Sequence, residues 1–278
     1  MSKLQQEARY YQEAWVSNDE VIVKQLRYAG LDPDDLSQKE LSRYDQIDHV
    51  GGIKNTRLMA EKIDWGKNAR VIDVGGGLGG AARYLAQTHG CRVHVVDLIE
   101  ARCRGGLRLS EMTALSGSVS FTAADAQRLP FPNERIDVVW GQDAFDSIED
   151  KDAFFSECRR VLKPGGTLIF TDHLQGPRPA RPDGIYLWPE DIYRRTFAQY
   201  RRLLHDNGFA LAEEQNLSDW AAMSLQRIYE GVLNGQGGPI RGAQGNEYYD
   251  KLLAFLNSFL GYLKCGAVQY GAFRARRE

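Results

Sequence analysis

Asp73-Val74-Gly75-Gly76-Gly77-Leu78-Gly79 sets glycines at alternate positions directly after a short apolar run from Val71 to Val74. Glycine accepts positive φ and carries no Cβ to hold a ligand away from the backbone. The loop runs into a helix-forming stretch, Ala81 to Thr88, so unpaired N–H groups at a helix start would face a polar or anionic ligand. Asp97 ends a second β-branched run that begins at Arg92, 22 residues after Gly75. An acid placed there can accept from both hydroxyls of a ribose. Loop and acid together point to a nucleoside-bearing cofactor.

The spacing leaves two cofactors open. Gly75, Gly77 and Gly80 satisfy the GxGxxG pattern of dinucleotide sites, so an NAD-dependent oxidoreductase would share both the loop and the acid. The same stretch also reads DxGxGxG from Asp73 to Gly79. An acid two residues before the first glycine would repel a pyrophosphate. It suits the ammonium of a methionine-like tail, as in S-adenosylmethionine (SAM).

Positioning these residues requires alternating strands and helices. Val71–Val74, Arg92–Asp97, a weaker Val119–Thr122, Ile136–Trp140 and Thr167–Thr171 read as strands. Asp152 to Leu162 reads as a helix closed by Lys163-Pro164-Gly165-Gly166. The alternation implies an α/β fold, a Rossmann-like parallel sheet with helices on both faces. Residues 189–207 read as another helix and Phe209–Gln215 as a sixth strand. Residues 218–262 read as helical, interrupted by the glycine-rich Asn234 to Pro239, and Ala267–Arg274 reads as a final strand. The expected organisation is a helical N-terminal extension over 1–62, a cofactor-binding α/β core over 63–215, a helical insertion capping the substrate over 216–262, and a last core strand within 263–278.

Composition narrows the partners. The 278 residues carry 35 Lys and Arg against 37 Asp and Glu, a formal charge of -2, which disfavours a chain built to coat nucleic acid or an anionic membrane. The arginines at 178, 181, 194, 195, 201 and 202 fit a solvated face or one anionic small substrate better than an RNA surface. Cys91, Cys103, Cys158 and Cys265 form no CxxC pair and no zinc-type cluster, so free thiols and no metal are expected. The polar start of the chain lacks a signal-peptide core, and no run approaches the ~18 apolar residues of a membrane span. A cytoplasmic protein without nucleic-acid or membrane partners is the expectation.

Further residues decide between the cofactors. Ala124-Asp125-Ala126, Leu129-Pro130-Phe131-Pro132, Ile136-Asp137-Val138-Val139-Trp140 and Arg160-Val161-Leu162-Lys163-Pro164-Gly165-Gly166 follow the loop and Asp97 in order. Over residues 44–172 this set resembles the class I SAM-dependent methyltransferases. Tyr44-Asp45-Gln46-Ile47-Asp48-His49-Val50-Gly51-Gly52 and Asp143-Ala144-Phe145 are similar to the small-molecule branch, which holds sarcosine/dimethylglycine-type N-methyltransferases and quinone and sterol C-methyltransferases.

The resemblance implies a set of cofactor contacts. Gly75, Gly77 and Gly79 would floor the methionine and ribose, and Asp73 would sit near the amino group. Asp97 would take the ribose hydroxyls and Leu98 the adenine face. Asp125 and the Ala126 N–H would meet the adenine edge, while Gln142 and Gln46 would close around the sulfonium. Many relatives carry a histidine just before the isoleucine at 148, where this chain has Ser147, so no catalytic role is carried over to that position.

Methyl transfer needs an acceptor held in line with the S–CH3 bond and shielded from water, with a base only for some acceptors. His49, Asp143 and His173 are the catalytic candidates, the last two at strand ends where open α/β sheets bind ligands. Tyr10, Tyr11 and Trp188 are candidates for the substrate pocket, and the other C-terminal aromatics suit an apolar acceptor equally with ordinary packing. N-, O- and C-methylation stay open, as does a non-catalytic SAM-binding protein. The N-terminal helices are long enough to exchange between subunits, which makes a homo-oligomer an expectation.

Overall fold

The structure, a computed structural model, describes residues 18–45, 49–179 and 193–278. Seven strands form one sheet: β1 (Arg70–Val74), β2 (Arg92–Asp97), β3 (Val119–Ala123), β4 (Ile136–Gln142), β5 (Leu162–Gln175), β6 (Phe209–Asn216) and β7 (Val268–Arg277). Their order is β3-β2-β1-β4-β5-β7-β6. The chain leaves β1 toward β2 on one side and returns to β4 on the other. That reversal opens a crevice at the C-terminal ends of β1 and β4, where ligands bind in such sheets.

The five strands of the alternation, β1 to β5, pair in parallel as expected. β7 runs antiparallel to both β5 and β6, so the sheet is mixed. A long β5 explains how β7 is accommodated. β5 extends well past the expected Thr167–Thr171, and its nine paired positions from Thr167 to Gln175 give β7 a full ladder.

The helices are α1 (Asp19–Tyr28), α2 (Gln38–Leu41), α3 (Gly52–Ala60), α4 (Gly80–His89), α5 (Glu100–Met112), α6 (Lys151–Val161), α7 (Phe197–Asp206), α8 (Ser218–Gly231), α9 (Gly237–Gln244) and α10 (Asn246–Cys265). Local chemistry sets several starts. Asp150 caps α6 by accepting from the Ala153 N–H at 2.9 Å. Thr196 and Gln199 form a reciprocal capping box that starts α7 at Phe197, rather than at 189 as the pattern suggested, and 193–196 precede it without helix. The glycine-rich Asn234 to Pro239 does not interrupt the helical insertion either. A π-helical turn, Val232–Gln236, carries the chain directly into α9, and the break falls at Gly245 instead.

Alternating strand residues feed two cores. Val74, Val139, Phe170 and Phe273 meet α6 and α7 on one face, while Val71, Val93, Val138 and Ile169 meet α3 and α4 on the other. A third cluster joins Val50, α8, α10 and Tyr270 of β7 at the C-terminal edge of the sheet. A fourth packs α1 and α2 on Leu78, inside the glycine loop, and on Leu109 of α5. Phe170 is fully buried, with ring centroids 4.7 Å from Phe145 and 4.9 Å from Phe273. Phe170→Ala should cost about 3–5 kcal/mol through lost burial and a cavity, seen as a lower denaturant midpoint with an unchanged slope.

Candidate active site

The glycine loop leaves β1 with Gly75, Gly77 and Gly79 at φ of 68°, 54° and 75°, a region where side-chain-bearing residues are strained. A Cβ on Gly75 would also run into Ala144, beyond the end of β4. The loop is therefore closed to side chains from two directions.

Two acids flank this loop. Asp97 accepts from the Gly77 N–H through Oδ2 and from the Ile99 N–H through Oδ1, each at 2.9 Å. These bonds fix its carboxylate at the end of β2, and each oxygen keeps a further lone pair. Asp73 is 1% exposed, and its Oδ2 has no hydrogen-bond partner among the described residues. A Cβ on Gly76 would fall 2.5 Å from that atom, so only glycine lets the loop cross the carboxyl. Burial first, and the charge of Asp97 second, raise the Asp73 pKa to about 7. A buried acid with an orphan oxygen is a strong acceptor for a ligand cation.

Leu98 is half-buried after Asp97, at the start of the turn into α5. Asp125 caps a 3-10 turn that starts at Ala126, its Oδ1 accepting from the Gln127 N–H at 2.8 Å. The structure thus brings Asp73, the three glycines, Asp97, Leu98, Asp125 and Ala126 to the C-terminal ends of β1, β2 and β3.

The ends of β4 and β5 carry a second group. Gln142 accepts through Oε1 from Thr56 Oγ1 at 3.1 Å and from the Trp140 indole at 3.2 Å, leaving its NH2 3.5 Å from His49 Nδ1. Asp143 adopts φ 54°, which Asp tolerates better than most residues. Its carboxylate accepts from the Val50 N–H at 2.7 Å, Thr171 Oγ1 at 2.9 Å and the Tyr270 hydroxyl at 2.6 Å. Asn55 donates to the same Tyr270 oxygen at 2.9 Å. One carboxylate therefore ties together the segment before α3, β5 and β7.

His173 lies between two acids, with Nε2 3.6 Å from Asp143 and Nδ1 3.3 Å from Asp146. The Phe259 ring meets it edge-on at 5.0 Å. Burial opposes charge on the imidazole, but Asp143 and Asp146 outweigh it and raise the His173 pKa above its ordinary value. Burial likewise works against Asp146, yet His173, Arg194 and Lys151 prevail and lower its pKa. Asp172 accepts from the Asp146 N–H at 3.0 Å and from Tyr200, and burial followed by Asp146 raises its pKa to about 7. Lys151 donates to the Ile148 carbonyl, and burial lowers its pKa to about 8. Asp146, Asp172 and His173 offer ligand atoms within 4.8 Å of one another. Lys151 and Arg194 lie against the same acids, so the cluster is an ion network of both signs.

Gln46, Tyr10, Tyr11 and Trp188 lie outside the described residues. The sequence reading missed Asn55, Asp146, Asp172 and Tyr270, and gave no role to Thr56, which stands with Arg57 in the stretch similar to the small-molecule branch. Tyr270 had one available signal, its place on the alternating final strand. Among the described residues no helix is long and apolar enough to cross a membrane.

Comparison with known proteins gives the arrangement its context. A family model described as "Methyltransferase domain" matches residues 72–170. The sarcosine/dimethylglycine N-methyltransferase of Halorhodospira halochloris is 30% identical over 229 residues, covering 80% of each chain. The glycine/sarcosine/dimethylglycine N-methyltransferase of Actinopolyspora halophila is 29% identical over 80% of this chain and 40% of its own. The chain thus spans less than half of that relative. Phosphoethanolamine N-methyltransferase 2 of Haemonchus contortus, solved with phosphomonomethylethanolamine and S-adenosylhomocysteine, superposes with a TM-score of 0.76 at 21% identity, over 97% of this chain and 60% of its own. That likeness shows a shared fold. These relatives give the oxidoreductase alternative no support. With its glycine loop, its buried acids and a 30% identical relative matched over most of both chains, the protein belongs to the class I SAM-dependent methyltransferases.

Proposed function

We propose that the protein transfers the methyl group of SAM to a small-molecule acceptor, with an amine as the leading acceptor class. The orphan Oδ2 of Asp73 beneath the glycine loop carries the reading, since it offers a buried carboxyl where the resemblance puts the cofactor's ammonium. The loop and Asp97 fit the rest of the nucleoside. When bound, SAM supplies an electrophilic methyl on its sulfonium.

The chain's own residues would do the remaining work. Asp97 and the loop amides hold the ribose side. Leu98, Asp125 and the Ala126 N–H receive the adenine. Gln142, fixed by Thr56 and Trp140, presents its NH2 toward His49 at the reacting end. Gln46 would close the same end from the N-terminal segment. Asp143 and His173 face the acceptor from β4 and β5, beside Phe259 and Tyr270. An amine needs only to be uncharged to accept the methyl, so positioning and exclusion of water are the main tasks. His173, whose neighbouring acids favour its charged form, would orient an anionic group of the acceptor and leave the attacking lone pair free.

The helices over 216–262 would cap the acceptor. Trp220 of α8 already sits on Gly51, where a Cβ would overlap the ring. Tyr10, Tyr11 and Trp188 are the sequence's candidates for the rest of that pocket. A cytoplasmic location and a homo-oligomer built through the N-terminal helices belong to the same proposal.

The test is release of S-adenosylhomocysteine (SAH) from SAM with glycine, sarcosine, dimethylglycine and phosphoethanolamine, read with product masses. Turnover with one of these supports an amine acceptor. SAH release only with carbon or oxygen acceptors would overturn it.

Asp73 adds a pH signature. Its folded pKa of about 7 lies above its ordinary 3.8, so between these values the folded chain keeps a proton the unfolded chain has lost. That contribution to stability is complete below the lower value and fades as pH rises through the upper one. A bound ammonium reverses the preference and drives the proton off. SAM binding at pH 6 should therefore release up to one proton, and affinity should rise as pH approaches 7. Calorimetry in buffers of different ionisation enthalpy measures this directly, and proton uptake on binding would contradict it.

A further inference from the structure

Arg83 is fully buried at the end of the first turn of α4, directly after the glycine loop. Its Nε and Nη2 both donate to Oδ2 of Asp45, at 3.2 and 2.7 Å. Its Nη1 donates to the Gly106 carbonyl at 3.2 Å and to Ser110 Oγ at 3.1 Å, both on α5. Its own N–H donates to the Gly79 carbonyl at 2.9 Å, and a Cβ on Gly79 would lie 3.4 Å from Nη1. From the helix that the glycine loop feeds, one guanidinium thus joins α5, the helix that follows Asp97, to Asp45.

A buried cation without a counter-charge would be strongly unfavourable, and the Asp45 side chain, itself fully buried, supplies that charge. The fork geometry matters as much as the charge. Lysine could place one ammonium here but could not make these four bonds to three acceptors along fixed directions. Asp45 in turn anchors the chain four residues before His49, and the next residue, Val50, donates its N–H to Asp143.

We infer that Arg83 is a positioning residue for cofactor binding: with Asp45 it locks the glycine loop, α5 and the entry to His49 into one unit. It acts through the loop and Asp45 and does not itself touch the cofactor. The inference rests on the SAM reading of the loop.

A buried ion pair can be exchanged for an apolar pair without loss of stability, which separates positioning from folding. The test is calorimetric SAH binding to the wild-type protein, to the double variant Asp45→Leu/Arg83→Met, and to the milder Asp45→Asn, with thermal unfolding of each. The double variant should keep its Tm within a few degrees and bind SAH at least tenfold more weakly. Asp45→Asn, which keeps an acceptor but no charge, should bind at least threefold more weakly and secures the test if the double variant does not fold. Arg83→Lys should fail to restore affinity. Wild-type-like affinity in a folded variant, whatever its Tm, overturns the inference alone. A wild-type protein that binds no SAH overturns the cofactor reading and this inference with it.

Discussion

Asp97→Ala should weaken SAM and SAH binding about 100-fold. The proposed ribose contact joins a carboxylate to two hydroxyls, and hydrogen bonds to a charged group contribute about 1.5–3 kcal/mol each. The same truncation strands the Gly77 and Ile99 N–H groups that the carboxylate now satisfies, so the loop loses its tether to β2. With about 1.4 kcal/mol per tenfold in affinity, the loss of one full contact with partial loop disorder gives this magnitude. Asp97→Asn keeps one carbonyl acceptor and should lose about tenfold. Calorimetry with SAH measures both, and unchanged affinity in the alanine variant would refute the assignment.

Asp143→Ala should reduce turnover by a factor of about 100 or more while destabilising the fold by about 3–5 kcal/mol, the usual cost of removing one partner of a buried charged network. Val50, Thr171 and Tyr270 would each lose their acceptor, and His173 would lose one of its two acids. Alanine also fits the left-handed backbone at this position poorly. Asp143→Asn separates the effects. Asparagine tolerates that backbone, but its NH2 would oppose either the Val50 N–H or the two hydroxyls. It should recover about half the stability and little of the activity. Recovery of turnover in parallel with stability would show that Asp143 only holds the fold together.

The parts of the molecule legible in the sequence are those set by neighbouring residues. The β-branched runs at 71–74 and 92–97 and the glycine loop between strand and helix are local patterns, and the structure has them where the pattern puts them. The direction of β7 was not legible, because a strand's partners are chosen by tertiary packing and not by its own alternation. The glycine-rich stretch from 234 misled for a related reason. Glycine weakens a helix by only about 1 kcal/mol per residue, and packing of the flanking helices on β7 and Val50 overrides that.

The acceptor end was the least legible. Asn55 and Tyr270 share a hydrogen bond across 215 residues of sequence, and Val50 and Asp143 share one across 93. Asp143 and His173 stood out as polar residues at strand ends, but their partners become visible only when β5, β7 and the N-terminal segment meet. Asp45 and Arg83 stand 38 residues apart in sequence, and only the fold pairs them out of contact with solvent.

The measurement that bears most directly on the account is calorimetric titration of the 278-residue chain with SAH and, separately, with NADH. The account predicts SAH binding at one site per chain and no binding of NADH. Binding of NADH without binding of SAH would contradict it.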